Sequence, residues 1–496
     1  MDKKRRISEI FTGLGGAIPP DAAKGLVVTS PADGTVLAQI TPDSGHNLEQ
    51  KIALARKGQQ GFSQLKRDRR AALIESLSAA IKQHREALAE LITLEGGKTM
   101  KEALGEADGS ADVLLKTIKD GALAEFNGML RCKERPPVGI VGLITSFNFP
   151  LVVANWTIAP ALLAGNGVVW KPSEKTPLVA LAYKAVFDKA MGEHKDLLQI
   201  IIGERDVGAA LVAHEDVDMI SATGSVGMGQ GIKATLAKKK NNSVRPVLEL
   251  GGNNGIILSD KMSDAHLDWA LTSLLNSFLG TAGQRCTNTR RLIVQRGMVD
   301  KVTELLTKKI EAFLARGKDA WDEFGYGPLI DADAYHRFAS AKKRAGDEGG
   351  KILFGNRLLE KEMPGGFYVE PTLALMPTQT KIMHEETFAP LLFIAPYDNF
   401  DEAIKLLNAP TNAGLVNGIY TQSQPEADRF ASANEAGHGV INSPKGTGTP
   451  AFGMGFGGNK ESGVGEILNA ADPLRAFTRE SAYRRIAQNK DVKMDG

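Results

Sequence analysis

Between Val138 and Trp170 the chain runs for 33 residues without an Asp, Glu, Lys, Arg or His. No other feature constrains the fold as strongly, because a stretch of that length is sufficient to cross a bilayer. Pro150 and Pro160 break a spanning helix there, and Asn148, Asn155 and Asn166 would need polar partners that lipid does not supply. The stretch reads instead as a buried strand over 138–144, a buried helix over 151–163 and a second strand from 168 to 171. Strands apolar along their whole length are strands covered on both faces, so this is a βαβ unit inside a core.

The rest of the chain keeps that rhythm. Leu73, Leu77, Ile81, Leu88, Leu91 and Ile92 fall at helical spacing and predict one amphipathic helix over 67–94, stopping at a Gly96-Gly97 C-cap. Short apolar strands are expected at 198–202, 219–221, 247–250, 255–258 and 291–294, with helices at 207–214 and 270–279 between them. Strands alternating with helices give an α/β fold with a largely parallel sheet. The glycine-rich stretch 446–465 reads as an irregular loop, whose glycines suit plain turns and close approach to a ligand equally.

Composition excludes more than it selects. Across 496 residues, 60 Lys and Arg face 58 Asp and Glu, which gives no electrostatic case for nucleic acid or a membrane surface. Two cysteines, Cys132 and Cys286, make no disulfide framework, so a reducing compartment, the cytoplasm, is expected. The basic start Met1–Arg6 is followed by no apolar core and reads as a solvated tail.

Several motif matches fail on context. Gly453, Gly455 and Gly458 spell the dinucleotide fingerprint, but too close to the end of the chain for a following βαβ unit. Gly97-Lys98-Thr99 lacks the earlier glycine of a phosphate loop, where Ile92 stands instead. His214-Glu215 and His384-Glu385 lack the second histidine of a zinc-protease helix, the eight histidines are scattered, and no metal is expected. Asn241-Asn242-Ser243 fits a glycosylation sequon, which carries no meaning without a secretory signal.

Three residues remain with chemistry attached. Cys286, in Gly283-Gln284-Arg285-Cys286, follows an apolar helix at a glycine-rich bend. Such a cysteine is an inert core residue or a nucleophile, and a cation such as Arg285 favours the thiolate if its side chain approaches. Glu249, flanked by leucines at a strand end, is a satisfied structural carboxylate or a general base with a raised pKa. Asn148, between Phe147 and Phe149, either holds a turn or points N–H donors at an oxyanion.

Phe147-Asn148-Phe149-Pro150, Trp170-Lys171-Pro172-Ser173-Glu174, Thr223-Gly224-Ser225, Leu248-Glu249-Leu250-Gly251-Gly252, Gly283-Gln284-Arg285-Cys286 and Glu385-Glu386-Thr387-Phe388 occur in the order found in the aldehyde dehydrogenase superfamily. The stretch Phe456-Gly457-Gly458 with Lys460 and Ser462-Gly463 resembles its C-terminal signature, and the spacing of 37 positions from Glu249 to Cys286 is similar to the family's. The resemblance spans about residues 30 to 485.

The resemblance implies that Cys286 attacks an aldehyde as thiolate, with the oxyanion held by Asn148 and the Cys286 N–H. A hydride then passes to NAD, and Glu249 activates the water that hydrolyses the thioester. It implies cofactor contacts from Thr145, Ser146, Lys171, Ser173, Glu174, Thr223, Gly224, Ser225, Leu250, Glu386 and Phe388, with the Glu174 carboxylate favouring NAD over NADP by repelling a 2′-phosphate. Arg285, Phe149, Trp156 and Phe456 are the implied substrate contacts.

Within the superfamily, Glu249 to Asn254, Gly283 to Thr287 and Glu385 to Pro390 look most like the antiquitin group, the α-aminoadipic semialdehyde dehydrogenases. That suggests an amino-acid-derived semialdehyde whose carboxylate meets Arg285. The departure is Thr447-Gly448-Thr449-Pro450-Ala451, where that group carries a Gly-Ala-Glu type segment that anchors the substrate's tail.

By analogy the expected architecture is a Rossmann-type NAD-binding domain over 1–124, 137–252 and 440–468, an α/β catalytic domain over 253–439, and a small β oligomerisation arm over 125–136 and 469–496. A homodimer or homotetramer follows from the family. The region of Leu474, Phe477 and Thr478 is expected to leave the compact body as part of the arm. The alternatives are a CoA-acylating relative, which would not need a base at Glu249, a non-phosphorylating glyceraldehyde-3-phosphate dehydrogenase, and a catalytically silent NAD-binding protein.

Overall fold

The structure is a computed structural model, and it describes residues 2–20, 22–126, 135–240, 244–317, 325–355, 357–409, 412–448, 455–465 and 472–479. Helices Lys3–Leu14, Gly45–Phe62, Arg67–Gln83, Arg85–Gly96 and Met100–Phe126 precede or flank a small hairpin of β1 (Leu26–Thr29) and β2 (Val36–Ile40). The charge-free stretch then folds as expected into β3 (Ile140–Ile144), helix Val152–Ala164 and β4 (Gly167–Lys171). After it come β5 (Leu198–Ile200), β6 (Met219–Thr223) and β7 (Arg245–Glu249), which join β3 and β4 in a parallel sheet. The two-residue strand β17 (Gly463–Val464) pairs antiparallel on its edge, and the order is β17-β7-β6-β3-β4-β5.

A second, seven-stranded sheet is built from β8 (Asn254–Leu258), β9 (Thr289–Gln295), β10 (Lys351–Phe354), β11 (Thr372–Leu375), β12 (Leu391–Tyr397), β14 (Val416–Tyr420) and β15 (His438–Ile441). Its pairings are parallel apart from the antiparallel edge strand β10. Strands β13 (Ala413–Gly414) and β16 (Asn459–Lys460) form a separate pair.

The apolar run of the sequence has the packing it implied. In β3, Val141 and Leu143 enter one core cluster with Trp170, Leu162 and Tyr183, while Ile140 and Ile144 enter a second cluster on the opposite face with Val169, Leu211 and Ile220. A strand buried on both sides must be apolar at every position, which is why alternation is absent there.

Four local expectations need correction. The basic start Met1–Arg6 is not a solvated tail: Lys3–Leu14 is a helix with Ile7, Ile10, Phe11 and Leu14 buried, and Lys3 and Arg6 pair with Asp33 and Glu90. The helix expected over 67–94 is two helices, broken at His84 (φ −106°, ψ 18°), because an apolar stripe does not register a single non-helical residue that keeps the same face buried. Its end at Gly97 (φ 71°) holds. Pro160 lies inside helix Val152–Ala164 rather than breaking it. Twelve of that helix's residues are buried, so packing on all sides offsets the one lost backbone bond. Leu474 and Phe477 do not leave the body: both are buried in the first core cluster, the Phe477 carbonyl accepts from Val138 N, and Thr478 bridges to Pro137. Cys132, the sequon at 241–243, Gly453, and most of the segments assigned to an arm lie outside the described residues.

Candidate active site

Only residues 250–253 separate the end of β7 from the start of β8, so the C-terminal edge of the first sheet meets the N-terminal edge of the second at this link. Glu249 closes β7 and Cys286 lies in the turn before β9, which brings both to that junction.

The turn carrying Cys286 is held against its own conformational preference. Thr281, Ala282 and Gly283 have φ of 52°, 50° and 74° in succession. A left-handed conformation costs about 1–2 kcal/mol for each residue other than glycine, so neighbours must over-determine it. They do: the Thr281 carbonyl accepts from Gln284 N (3.0 Å) and Gln284 Nε2 (3.1 Å), and Gln284 Oε1 accepts from Ile330 N (2.9 Å). Asn288 Oδ1 accepts from Arg285 N (2.8 Å) while its Nδ2 donates to Ser277 O (2.6 Å), and Asn254 Nδ2 donates to the carbonyl of Cys286 itself (2.7 Å). A Cβ on Gly283 would overlap the Ala389–Pro390 peptide. Gly283→Ala is therefore expected to destabilise the protein by about 3 kcal/mol or more and to abolish activity. A melting temperature within two degrees of wild type would refute this.

Around the thiol the electrostatics are unusual. The Glu249 side chain is 5% exposed, its Oε2 has no hydrogen-bond partner, and burial raises its pKa well above the ordinary carboxylate value. Burial also pushes the Cys286 thiol up to about 12, with the Glu386 and Glu249 carboxylates adding to the shift and Arg290 opposing it. The cation acting on the thiol is thus Arg290 and not the adjacent Arg285. The Arg285 guanidinium turns to Glu102 and to Thr281 Oγ1 (2.9 Å) instead. Asn148 is oriented from both ends: Ser146 Oγ donates to its Oδ1 (2.7 Å), and its Nδ2 donates to the carbonyl of Gln284 (2.9 Å). Leu415, Val416 and Phe456 form an apolar cluster with Trp156 and Cys286, and the Trp156 and Phe456 rings lie 5.0 Å apart. Lys98 Nζ sits 3.5 Å from the Phe149 ring centre, and the Arg285 guanidinium lies 5.8 Å from it.

The residues expected to hold a cofactor gather at the strand ends. Strand order reverses between β3 and β6, and in open parallel sheets the carboxyl ends at such a switch point form the ligand crevice. Thr145 and Ser146 follow β3, Lys171 ends β4 with Ser173 and Glu174 just beyond, and Thr223, Gly224 and Ser225 stand at the end of β6. Lys171 Nζ reaches Glu174 Oε2 at 3.2 Å, and the Thr145 hydroxyl accepts from the buried Trp170 indole (2.9 Å). Ser225 caps helix Val226–Leu236 by accepting from Met228 N (3.2 Å), so the open first turn of that helix faces the crevice end of β6, where an anion is favoured. Buried Leu250 follows β7, donating its N–H to Ser462 O (2.8 Å). Glu386 Oε1 accepts from Gly252 N (3.2 Å) and Arg290 Nη2 (3.1 Å), and Phe388 (φ 55°) meets Phe147 edge-on at 5.9 Å.

Sequence reasoning missed the residues that fasten this site together. Arg290 donates to the carbonyls of Gly252, Gly283 and Arg285 and to Glu386, joining the loops after β7, before β9 and before β12. Glu102, on helix Met100–Phe126, holds Arg285 and Thr281 and keeps a buried Oε2 without a hydrogen-bond partner. A signal existed for Arg290: two arginines opening an apolar strand are costly to bury unless each has partners. None existed for Glu102. Among the described residues no three His, Cys, Asp or Glu side chains cluster as metal ligands, and no helix is long and apolar enough to cross a membrane.

The chain matches the sequence model of the aldehyde dehydrogenase family over residues 18–482. The α-aminoadipic semialdehyde dehydrogenase of Bos taurus is 31% identical to it over 487 residues, which is 95% of this chain and 87% of that protein. In solved structures, a 3,6-anhydro-L-galactose dehydrogenase in complex with NADP superposes with a TM-score of 0.83 at 30% identity, covering 94% of this chain and 97% of the other. The indole-3-acetaldehyde dehydrogenase of P. syringae in complex with NAD+ gives 0.83 at 27% identity, covering 94% of each chain. The chain belongs to the aldehyde dehydrogenase family, NAD(P)-dependent oxidoreductases that act on aldehydes.

Proposed function

We propose that the protein oxidises an amino-acid-derived semialdehyde to the carboxylic acid, with NAD as acceptor, through a thioester on Cys286. The observation that carries the reading is the pairing of a thiol with a buried, unpartnered carboxyl at Glu249. The Cys286 thiol gives up its proton to solvent, its sulfur bonds to the aldehyde carbon as the carbonyl π bond opens, and the carbonyl oxygen becomes an oxyanion. The second Nδ2 hydrogen of Asn148 and the Cys286 N–H would receive it, the first Asn148 hydrogen being fixed on Gln284. When bound, the nicotinamide supplies the hydride acceptor. Glu249 then takes a proton from the water that adds to the thioester, and the sulfur leaves as thiolate.

Glu174 and Lys171 support the cofactor preference. A carboxylate there accepts from ribose hydroxyls and repels a 2′-phosphate, so kcat/KM for NAD is expected to exceed that for NADP by about tenfold or more. The substrate class is supported by Arg285 and Glu102, a cation and an anion side by side near Phe149, which suit the carboxylate and ammonium of an amino acid.

A panel of aldehydes tests the reading through reduced-nicotinamide formation by the purified protein, with NAD and NADP at matched low concentration. Preference for zwitterionic semialdehydes over neutral aldehydes of equal length, lost in Arg285→Leu, supports it. Preference for neutral aldehydes removes the substrate class, and comparable turnover with both cofactors removes the NAD assignment.

A further inference from the structure

His438 opens β15 beside this pocket, and neither the family motifs nor the mechanism uses it. It is buried, at 8% exposure. Its ring stacks on Phe456, with centres 5.3 Å apart and planes 26° from parallel, and its Nε2 lies 3.2 Å from the backbone N–H of Gly457. An imidazole nitrogen that accepts an N–H has its lone pair free, so the ring is neutral with its proton on Nδ1. The same loop is seated closely, because the missing Cβ of Gly437 leaves the room taken by the Gly457 carbonyl. Phe456 in turn packs on Trp156 and shares an apolar cluster with Cys286.

We propose that His438 is a positioning residue: as a neutral imidazole it fixes Phe456 as a wall of the aldehyde pocket, and on protonation it lets that wall go. The proposal rests on the reading of Phe456 as a substrate contact. Protonation places an N–H against the Gly457 N–H, which turns a hydrogen bond into a repulsion, and leaves a cation among aromatic rings. Burial alone already holds the proton affinity of His438 below the ordinary histidine value. The elements packed around it leave that in place. Helix Val152–Ala164 carries no ionisable side chain, and the neighbouring β14 carries only Tyr420, whose hydroxyl donates to Ser443 O (2.7 Å). On the glycine-rich loop and the preceding turn, Lys460 and Glu435 are bridged to each other at 2.6 Å, and Glu461 is half-buried. Cys286, the titratable group of the shared cluster, is uncharged at neutral pH.

The test is the ratio of KM for hexanal to KM for acetaldehyde, measured with NAD from pH 5 to 8, so that the pH dependence of the chemistry divides out. In wild type the ratio is expected to rise about fivefold on going from pH 7.5 to pH 5, which is what one ordinary hydrogen bond is worth. His438→Gln keeps an acceptor that does not titrate and should flatten the profile. His438→Leu should hold the ratio high at every pH, with kcat for acetaldehyde within twofold of wild type. In proton NMR, the imidazole C–H signal missing from His438→Gln should titrate below pH 6.5 in wild type. A His438→Gln profile that rises like wild type, or a His438→Leu ratio equal to wild type at pH 7.5, overturns the proposal. Phe456→Ala separates the two layers. If it leaves the ratio unchanged, the pocket reading fails; if it raises the ratio while both histidine variants behave as wild type, only the role of His438 is lost.

Discussion

Cys286→Ala is expected to reduce NAD-dependent aldehyde oxidation by about 10⁴-fold or more, with thermal stability and cofactor binding retained. The size follows from the role: without the sulfur no covalent intermediate forms, and a nucleophile that works with a base and an oxyanion site costs nearly the whole rate enhancement when it alone is removed. Retention of fold follows from the surroundings. The turn is held through the Cys286 carbonyl by Asn254 and through the flanking Gln284 and Asn288, none of which needs the thiol. Steady-state assays with a thermal melt check both halves. Activity above about a hundredth of wild type would remove Cys286 from the chemistry.

Glu249→Gln is expected to separate the two halves of the reaction. Hydride transfer precedes the step that needs the base, so mixing the variant with aldehyde and NAD should release about one equivalent of reduced nicotinamide per site and then nearly stop. Steady-state turnover should fall by about 10²–10⁴-fold. The acyl group left on Cys286 is readable by intact-protein mass spectrometry, and full turnover without a burst would assign the base elsewhere.

Stability gives an independent reading of the same residue. The folded-state pKa of Glu249 is raised by burial, so its contribution to stability is fully present below the unfolded carboxylate value, near 4.3 in unperturbed peptides, and is lost as pH rises through the folded value. Glu249→Gln removes that dependence. The variant should therefore melt at a higher temperature than wild type above pH 7, and the gap should close near pH 4.

Much of this site was legible in the chain because chemistry and locality coincide there. Glu249 ends a strand whose apolar neighbours announce its burial, and Asn148 follows a strand buried at every position within four residues. Cys286 stands at a bend marked by Gly283, although what bends the chain, three successive left-handed residues, has no signature at Thr281 or Ala282. The glycine-rich loop was legible only as irregular, and its docking through Gly457 on His438 was not.

What the sequence by itself determined is the alternation of doubly buried strands with helices, the parallel sheets that follow, and the family, through six motifs in fixed order. Periodicity and motif spacing are local properties, and a strand covered on both faces must be apolar throughout. What only the tertiary structure decided is which charges meet. Arg285 pairs with Glu102 across 183 residues and Arg290 with Glu386 across 96, so the cation beside the thiol in sequence is not the one that acts on it. The same holds for Leu474 and Phe477, which an alternating pattern sent away from the body and which the core cluster containing Val141 and Leu143 of β3 buries. A side chain of four or five bonds chooses its partner by the distance left after the sheets have packed, and no local pattern encodes that distance.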